Sequence, residues 1–357
     1  MLIKNIFTEF LLKPFFSIKE NQSRELGNPK NILIILQHYS LGLLLTQIPL
    51  IRAIKEKFPK VKITAILSSQ NYVGLTGNKL IDNYFIFEER KLLNLNYLLS
   101  LKSTLSKHYD VAIVPVIDSI SLTSLLLMRF SGSLRRIGAK SLNEIDNNFQ
   151  FLFDSRIELD WRKTPDSHIS DFALDILRPF EIDTKDYSIN IPSTEKEKTT
   201  AQSYLNKYKG KTIIGLNIDA NISKNRWSTI KFIELIEKLN EKYLCHFYLI
   251  GEVKNNKLIK FVQNKLNFEI EEYQYNSLGE IAEILKNSNL FITNVDDIMF
   301  IAGATSVPQI SIFGNTNPFN YSPLGNRKYF IRKSDLIDDI TVNDVLDKCK
   351  KILDKKG

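Results

Sequence analysis

Residues Leu290–Gly325 read LFITNVDDIMFIAGATSVPQISIFGNTNPFNYSPLG. This pattern predicts a buried strand, a polar turn, a short helix, a second buried strand and a loop around Gly314. Units of this kind build open α/β sheets, in which ligands bind at the carboxyl ends of the strands. We therefore expect this stretch to form one wall of a ligand-binding crevice.

Strands and helices alternate in the same way along the rest of the chain, in two series. The first series has predicted strands at 31–36, 62–67, 84–87 and 111–116, with helices at 43–58, 92–105 and 122–130. The second has strands at 212–217, 246–250, 290–293 and 309–313, with helices at 230–242, 257–265, 278–287 and 343–353. Continuous apolar strands indicate parallel sheets that are covered by helices on both faces. The predicted fold class is therefore α/β, with two doubly wound domains whose strand ends face one interdomain cleft.

The chain is long enough for two domains. Its 357 residues are 43% hydrophobic, which suffices for two cores of ordinary size. The polar stretch 184–200 is the best candidate for an interdomain linker or its exposed flank. The predicted ranges are an N-terminal segment, 1–30, a first domain, 31–190, and a second domain, 191–357.

Composition narrows the range of partners. The formal net charge is +8, which favours anionic partners such as nucleotide diphosphates or phospholipid headgroups. The basic residues are scattered and show no nucleic-acid-binding signature, so we expect no nucleic-acid partner. Cys245 and Cys349 have neither disulfide-framework nor metal-site spacing, which fits a reduced, cytoplasmic protein.

The N-terminus carries an apolar pattern with helical spacing. The apolar residues that recur before Pro14 are Leu2, Ile3, Ile6, Phe7, Phe10 and Leu11. Two interpretations are equally good: an amphipathic helix in peripheral contact with the inner membrane face, or a helix packed on the protein itself. No apolar run reaches the roughly 18 residues that a membrane span needs.

Familiar cofactor and metal motifs are missing from the sequence. The turn after the first strand reads His38-Tyr39-Ser40-Leu41-Gly42 and lacks the glycines of a dinucleotide-binding loop. No Gly-x-x-x-x-Gly-Lys-Ser/Thr pattern occurs, and the four histidines are too dispersed for a metal site. We therefore expect neither a bound cofactor nor a metal ion.

Short motifs follow one another in a specific order. They are Ser40-Leu41-Gly42, Tyr109-Asp110-Val111, Arg136-Ile137-Gly138, Gly215-Leu216-Asn217, Lys224-Asn225-Arg226-Trp227, Ser277-Leu278 and Phe313-Gly314-Asn315-Thr316-Asn317-Pro318. This ordered set resembles glycosyltransferase family nine, the ADP-heptose:lipopolysaccharide heptosyltransferases. The resemblance covers most of the chain beyond the first 30 residues.

The resemblance implies a GT-B fold, in which two Rossmann-like domains carry the acceptor and a nucleotide-sugar donor, respectively. It also implies an inverting, metal-free transfer of a heptose-like sugar to a lipid-linked, lipopolysaccharide or other cell-surface glycan acceptor. Such a transfer needs a base for the acceptor hydroxyl, and cations or helix dipoles for the leaving diphosphate. The expected setting is cytoplasmic and membrane-peripheral.

Candidate site residues follow from the resemblance, but the family pattern is broken where the chemistry is expected. Leu43 stands in place of the family's candidate general base, an Asp, and Val295–Phe300 replaces its Asp-Ser-Gly-Pro-Met-His. The candidate catalytic residues are therefore His38, as a replacement base, and Asp296. The candidates for the sugar-donor site are Asn217, Lys224, Arg226, Ser277, Asn294, Asp297 and Thr316, and those for the acceptor-side loop are Ser40 and Gly42.

Three functional hypotheses stay open. The leading one is a working glycosyltransferase of the heptosyltransferase type. The second is a catalytically silent relative that binds a glycan, a nucleotide or a partner enzyme. It is motivated by Leu43, Val295, Asp297 and Phe300. The third, a GT-B sugar-nucleotide epimerase, is weaker because it would need more carboxylates and histidines in the cleft.

Overall fold

The structure, a computed structural model, describes residues 9, 11–250 and 256–354. The chain divides into two compact units, Met1–Tyr187 and Ser188–Gly357. Each unit is a doubly wound α/β domain of the Rossmann type, so the predicted fold class is confirmed. Within the described residues, no helix is both long and apolar enough to cross a bilayer.

The first unit is built on a seven-stranded sheet. Its strands are β1 (Asn31–Ile35), β2 (Lys62–Ser68), β3 (Asn83–Phe87), β4 (Val111–Ile113), β5 (Arg135–Leu142), β6 (Ile145–Asp146) and β7 (Ser155–Leu159). Its helices are α1 (11–16), α2 (Leu41–Leu45), α3 (Ile48–Lys57), α4 (Leu95–Leu105), α5 (Leu122–Phe130) and α6 (Ile169–Leu174). The strand order is β3-β2-β1-β4-β5-β6, and β7 also pairs with β5. The β5–β6 pair is antiparallel and the other pairs are parallel.

Apolar residues build the centre of this sheet, and local signals set the helix ends. The Ile and Leu residues of β1 are fully buried, as expected for a central parallel strand. The helix predicted over 43–58 is observed as α2 and α3. Ser40 caps α2 by accepting a hydrogen bond from the Leu43 N–H. Pro49 lies in the first turn of α3, where a missing N–H costs nothing.

The second unit has a six-stranded sheet in the order β10-β9-β8-β11-β12-β13, with all pairs parallel. Its strands are β8 (Thr212–Asn217), β9 (Cys245–Ile250), β10 (Glu271–Tyr273), β11 (Leu290–Asn294), β12 (Gln309–Ile312) and β13 (Lys328–Ile331). Its helices are α7 (Glu195–Asn206), α8 (Thr229–Lys242), α9 (Asn256–Lys265), α10 (Leu278–Lys286), α11 (Asp297–Gly303), α12 (Pro318–Tyr321) and α13 (Val342–Leu353). In β8, a Cβ on Gly215 would lie 2.4 Å from the Tyr248 ring. Glycine there allows the tyrosine to pack against the strand.

Several elements were not predicted from the sequence. They are β5, β6, β7, α7, β10, α12 and β13. Residues 195–200, expected to be a linker or its exposed flank, begin α7, because Thr194 and Glu197 form a capping box there. Strand β5 opens with Arg135 and Arg136, which both form ion pairs with the buried carboxylate of Asp154.

The described part of the N-terminal segment packs on the first unit. Leu12 and Phe16 of α1 lie against its core, and the ring of Phe16 is 5.5 Å from that of Phe130. Leu11 and Phe15 are exposed. Leu12 and Phe16 thus pack on the protein itself, whereas Leu11, the member of the predicted apolar set that the structure describes, is exposed. The other members, Leu2, Ile3, Ile6, Phe7 and Phe10, lie outside the described residues, so the choice between the two interpretations stays a prediction.

Candidate functional site

The second sheet reverses its strand order between β8 and β11, which is where parallel sheets form ligand crevices. Asn217 is the last residue of β8, and Asn294 is the last residue of β11. Both side chains are buried. The candidate sugar-donor site surrounds these two strand ends.

Asn294 ties the loop after β8 to the end of β11. Its side-chain oxygen accepts a hydrogen bond from the Trp227 backbone N–H at 3.0 Å. Its amide group donates to the backbone carbonyls of Asn217 at 3.4 Å and Asp219 at 3.1 Å. The Trp227 ring is fully buried and donates to the Ile340 carbonyl at 2.9 Å. Asn294 thus acts as a buried anchor that shapes the loop.

The anchored loop carries the predicted cations. Arg226 forms an ion pair with Asp219 at 3.1 Å, and its side chain is 33% exposed. Lys224 is exposed. A guanidinium has five N–H donors in a fixed fork, so Arg226 can serve both Asp219 and a phosphate. Both cations are therefore available for an anionic ligand.

Asp296 and Asp297 stand at the start of α11, and both are partly buried. The Asp296 carboxylate accepts hydrogen bonds from the Asp297 N–H at 2.8 Å and from the Asn221 amide at 2.6 Å. Carboxylates at a helix N-terminus stabilise the helix, but they repel a diphosphate at the same place. The charges therefore favour a phosphate beside Lys224 and Arg226 and disfavour one at the start of α11.

The loop after β12 joins the same edge of the sheet. The Thr316 hydroxyl donates to the side chain of the buried Asn225 at 3.4 Å. The structure therefore brings seven predicted residues to one edge of the sheet: Asn217, Lys224, Arg226, Asn294, Asp296, Asp297 and Thr316.

Ser277 is engaged elsewhere on this unit. It caps α10 by accepting a hydrogen bond from the Glu280 N–H at 3.2 Å, and its hydroxyl donates to Glu197. Burial alone would raise the pKa of Glu197, but hydrogen bonds from Ser277 and Thr194 lower it. Ser277 therefore holds α10 to α7, and its predicted contact with a sugar donor stays a prediction.

The first sheet reverses its order between β1 and β4, and the turn after β1 contains His38. Asn71 holds this turn, since its side chain donates to the carbonyls of Leu36 and Tyr39, both at 2.9 Å. The His38 Nδ1 lies 3.1 Å from the hydroxyl of Ser124, in the first turn of α5. The turn is thus fixed from two neighbouring elements.

His38 and Tyr39 are the electrostatically unusual residues of this turn. Within the described part of the chain, the His38 Nε2 and the Tyr39 hydroxyl are buried without a hydrogen-bond partner. Burial lowers the pKa of His38 to about 4, although the charge of Asp118 raises it. Burial also raises the pKa of Tyr39, and Asp118 adds to this shift. At neutral pH His38 is therefore an uncharged and weak proton acceptor.

The acceptor-side candidates lie at the start of α2. Ser40 is its exposed N-cap and Gly42 is buried in its first turn. Leu43, next in the helix, contributes its backbone N–H to the cap. Its side chain is partly buried and cannot take a proton. The start of α2 therefore provides no general base at this position.

A cavity of about 500 Å³ opens beside this turn. We call it the polar cavity, because its lining includes Gln37, His38, Ser68, Ser69, Gln70, Glu88, Glu89, Arg90, Ser121 and Thr123, with Phe87 as its apolar member. This lining offers both donors and acceptors of hydrogen bonds, which suits a ligand rich in hydroxyl groups.

Sequence reasoning missed three polar residues of these two regions. Asp118 lies after β4 and is exposed. The sequence did contain a signal for it, because Asp118 is the polar residue that directly follows the apolar run 111–117. Asn221 and Asn225 bind Asp296 and Thr316, contacts that span 75 and 91 residues and leave no local signal. Among residues 9, 11–250 and 256–354, no group of three or more His, Cys, Asp and Glu could hold a metal ion.

A family model described as glycosyltransferase family 9 (heptosyltransferase) matches residues 98–344. The chain belongs to this family. A curated family relative, lipooligosaccharide heptosyltransferase 2 of Haemophilus influenzae, is 27% identical over 113 residues. That alignment covers 30% of this chain, and the chain spans about a third (32%) of the relative's length.

Solved structures of glycosyltransferases and heptosyltransferases share the fold. A family 9 glycosyltransferase from Veillonella parvula superposes with a TM-score of 0.76, at 17% identity, over 95% of this chain and 99% of that one. The E. coli ADP-heptose lipopolysaccharide heptosyltransferase II gives 0.74 at 19% identity, over 91% and 99%. E. coli heptosyltransferase WaaC, solved with ADP, gives 0.67 at 14% identity, over 90% and 99%. The predicted GT-B class is therefore confirmed for this family 9 chain.

Proposed function

We propose that this family 9 protein transfers a heptose-like sugar from a nucleotide-sugar to a lipopolysaccharide or other cell-surface glycan acceptor. The observation that carries the proposal is the family match over residues 98–344. The name of the Haemophilus influenzae relative supports the same reaction class. Because the chain aligns with only 32% of that relative, the identity of both substrates is part of the proposal.

The sugar donor binds the second unit in this proposal. Lys224 and Arg226 stabilise the leaving diphosphate, which makes a metal-independent reaction chemically reasonable. Thr316 and Asp296 lie at the same edge and can accept hydrogen bonds from sugar hydroxyls. An adenosine diphosphate is the first nucleotide to test, because WaaC was solved with ADP.

The acceptor binds the first unit, and Asp118 is the base we favour. Inverting transfer requires a base that removes the proton of the acceptor hydroxyl while that oxygen attacks the anomeric carbon. Asp118 is an exposed carboxylate at the strand reversal, whereas burial keeps the pKa of His38 at about 4. His38 and Asp296 stay weaker candidates for this role. We place the reaction in the cytoplasm, on the inner membrane face, where lipid-linked acceptors are presented.

Binding of the sugar donor is the direct test. Melting temperatures of the purified chain are measured with ADP-, GDP-, UDP- and CMP-sugars, because a ligand stabilises the state that it binds. We expect a shift with one nucleotide class, and an affinity about tenfold weaker or worse in Arg226→Ala and Lys224→Ala. Lys351→Ala, an exposed lysine on α13, is the matched control. No shift with any nucleotide-sugar would sink the transferase proposal.

A catalytically silent relative is the second candidate. It is favoured by Leu43 in α2 and by the two carboxylates at the start of α11. A silent relative binds a nucleotide or a glycan without turnover. Saturable nucleotide binding combined with no sugar transfer to any lipid-linked acceptor would select this candidate.

A further inference from the structure

A second cavity of the first unit, of about 640 Å³, is mainly apolar. We call it the apolar cavity. It lies between α4, α5 and the end of β3, and its apolar lining residues are Phe87, Leu92, Leu98, Leu101, Leu105, Leu126, Leu127 and Phe130. Leu101, Leu105 and Leu127 form its buried floor, while Leu98 and Phe130 are 39% and 54% exposed at its opening. Its size and its mainly apolar lining match those of small-molecule sites.

The apolar cavity adjoins the polar cavity beside His38. Phe87, Glu89 and Thr123 line both of them. At this junction the Thr123 hydroxyl donates to Glu89 at 3.3 Å. A molecule that fills both spaces must be apolar at one end and rich in hydrogen-bonding groups at the other. This continuity selects an amphiphile over a purely apolar partner.

The polar end is matched to hydroxyl groups more than to a single charge. Glu88, Glu89 and Arg90 contribute opposite charges to the polar cavity, and serine and glutamine side chains contribute neutral donors and acceptors. A phosphate-bearing headgroup would meet the carboxylates of Glu88 and Glu89 there, whereas saccharide hydroxyls can hydrogen-bond to the serine, threonine and glutamine side chains.

We propose that the first unit binds a glycolipid, with its hydrocarbon chain in the apolar cavity and its saccharide in the polar cavity. This inference rests on the proposed function, since it takes the acceptor to be a lipid-linked saccharide. It places the sugar beside the strand reversal that holds His38 and Asp118. The chain length that fits the apolar cavity then selects among acceptors, in addition to the sugar itself.

Alkyl maltosides test this proposal on the purified full chain, without any nucleotide-sugar. Octyl, decyl and dodecyl maltosides are titrated calorimetrically below the concentrations at which they form micelles. Affinity should rise by up to about fourfold for each methylene group that enters the cavity. Maltose alone should bind too weakly to detect, and dodecylphosphocholine should bind about tenfold more weakly than dodecyl maltoside. An affinity independent of chain length, or equal for the two headgroups, would overturn the assignment.

Two neighbouring leucines of α4 provide matched variants. Leu98 lines the cavity, and Leu99, 56% exposed, lies outside the lining. Leu98→Trp should fill the opening and weaken dodecyl maltoside binding at least tenfold, while Leu99→Trp should stay within twofold. Melting temperatures verify folding, and Phe130→Ala, at the opposite wall, gives a second variant. Equal losses in both tryptophan variants would indicate a membrane surface or a second copy of the chain instead.

The result is separable from the transferase proposal. Chain-length-dependent binding without sugar transfer would support the glycolipid site and contradict the transferase proposal. Transfer to a lipid-linked acceptor at wild-type efficiency in Leu98→Trp would support the transferase proposal and contradict the glycolipid site. A concentration-dependent dimer that is lost in both variants, measured by sedimentation, would assign the surface to a second copy and overturn the glycolipid site.

Discussion

Asn294 and His38 both have buried polar side-chain atoms, but the two residues differ in how these atoms are hydrogen-bonded. Asn294 uses its oxygen and its amide group within the protein, in bonds to Trp227, Asn217 and Asp219. The His38 Nε2 has no partner among the described residues. An unpaired buried polar atom costs about 1–3 kcal/mol, and such atoms often mark a functional position. The turn after β1 is therefore where we look for chemistry.

Asp118 is the residue whose removal should affect chemistry alone. In Asp118→Asn we expect sugar transfer to fall by about 10²-fold or more, the usual contribution of a general base. Because Asp118 belongs to the first unit, the affinity for the nucleotide-sugar should stay unchanged. His38→Gln should cost less than about tenfold, since burial already makes His38 a weak base.

Rates are measured at saturating sugar donor, with calorimetric affinities beside them. Asp146→Asn replaces another exposed aspartate of the first unit and serves as the control. Normal turnover in Asp118→Asn, together with a large loss in His38→Gln, would return the role of base to the histidine.

At the scale of elements, Glu197 couples two helices of the second unit. Its carboxylate accepts from the N-cap residue of its own helix, Thr194, at 2.6 Å and from Ser277, the N-cap of α10. A Cβ on Gly279 would come within 2.5 Å of this carboxylate, so glycine allows the approach. The start of α7 is thus locked to the start of α10.

A double-mutant cycle measures this lock. Ser277→Ala should lower the free energy of unfolding by about 1–2 kcal/mol, because it removes a cap. Glu197→Gln should lower it by about 1 kcal/mol, because a neutral acceptor replaces the charged one that binds Thr194 and Ser277. Their effects should be non-additive by about 0.5–1.5 kcal/mol, as expected for groups in contact. Urea unfolding of the four proteins gives the coupling. Ser277→Ala with Glu195→Gln, on the same helix turn, is the control cycle and should be additive.

Nucleotide binding in Ser277→Ala separates the structural role from the role predicted by family resemblance. We expect an unchanged affinity, since the hydroxyl is occupied by Glu197. A tenfold weaker affinity for the nucleotide, together with additive unfolding free energies, would place Ser277 in the sugar-donor site. The same result would contradict its role in holding α10 to α7.

The elements that could be predicted are those whose signal is local. Strands β1, β8, β11 and β12 are short, mainly apolar runs, so they could be predicted from the sequence. From the predicted ends of β1 and β11, we correctly expected His38 just after a strand and Asn294 at the end of one. Strand β5 was missed because its first two residues are charged, and the carboxylate that pairs with both, Asp154, lies outside the strand. The hydrogen bond from Ser277 to Glu197 joins residues 80 positions apart, so no local sequence pattern could predict it.

On the scale of the whole molecule, His38 in the first unit and His246 in the second share a pKa that burial lowers. Burial lowers the pKa of His38 to about 4 in the first unit, against the charge of Asp118. It lowers the pKa of His246 to about 4 in the second, where Glu271 raises it and Lys211 lowers it. His246 stacks on Tyr208 at 3.3 Å between ring centroids. Both units therefore fold with neutral imidazoles.

Stability of both units should fall as pH drops from 6.5 towards 4. In that window the unfolded chain binds a proton at each histidine and the folded chain does not, so acid favours unfolding. At pH 5 we expect about 1–2 kcal/mol less stability per histidine than at pH 7.5.

The only two tryptophans, Trp161 and Trp227, lie one in each unit, so fluorotryptophan NMR during urea unfolding reports the units separately. His38→Gln should flatten the pH dependence of the Trp161 signal alone, and His246→Gln that of Trp227. The exposed His108→Gln is the control, and a pH dependence that survives both substitutions would contradict the assignment.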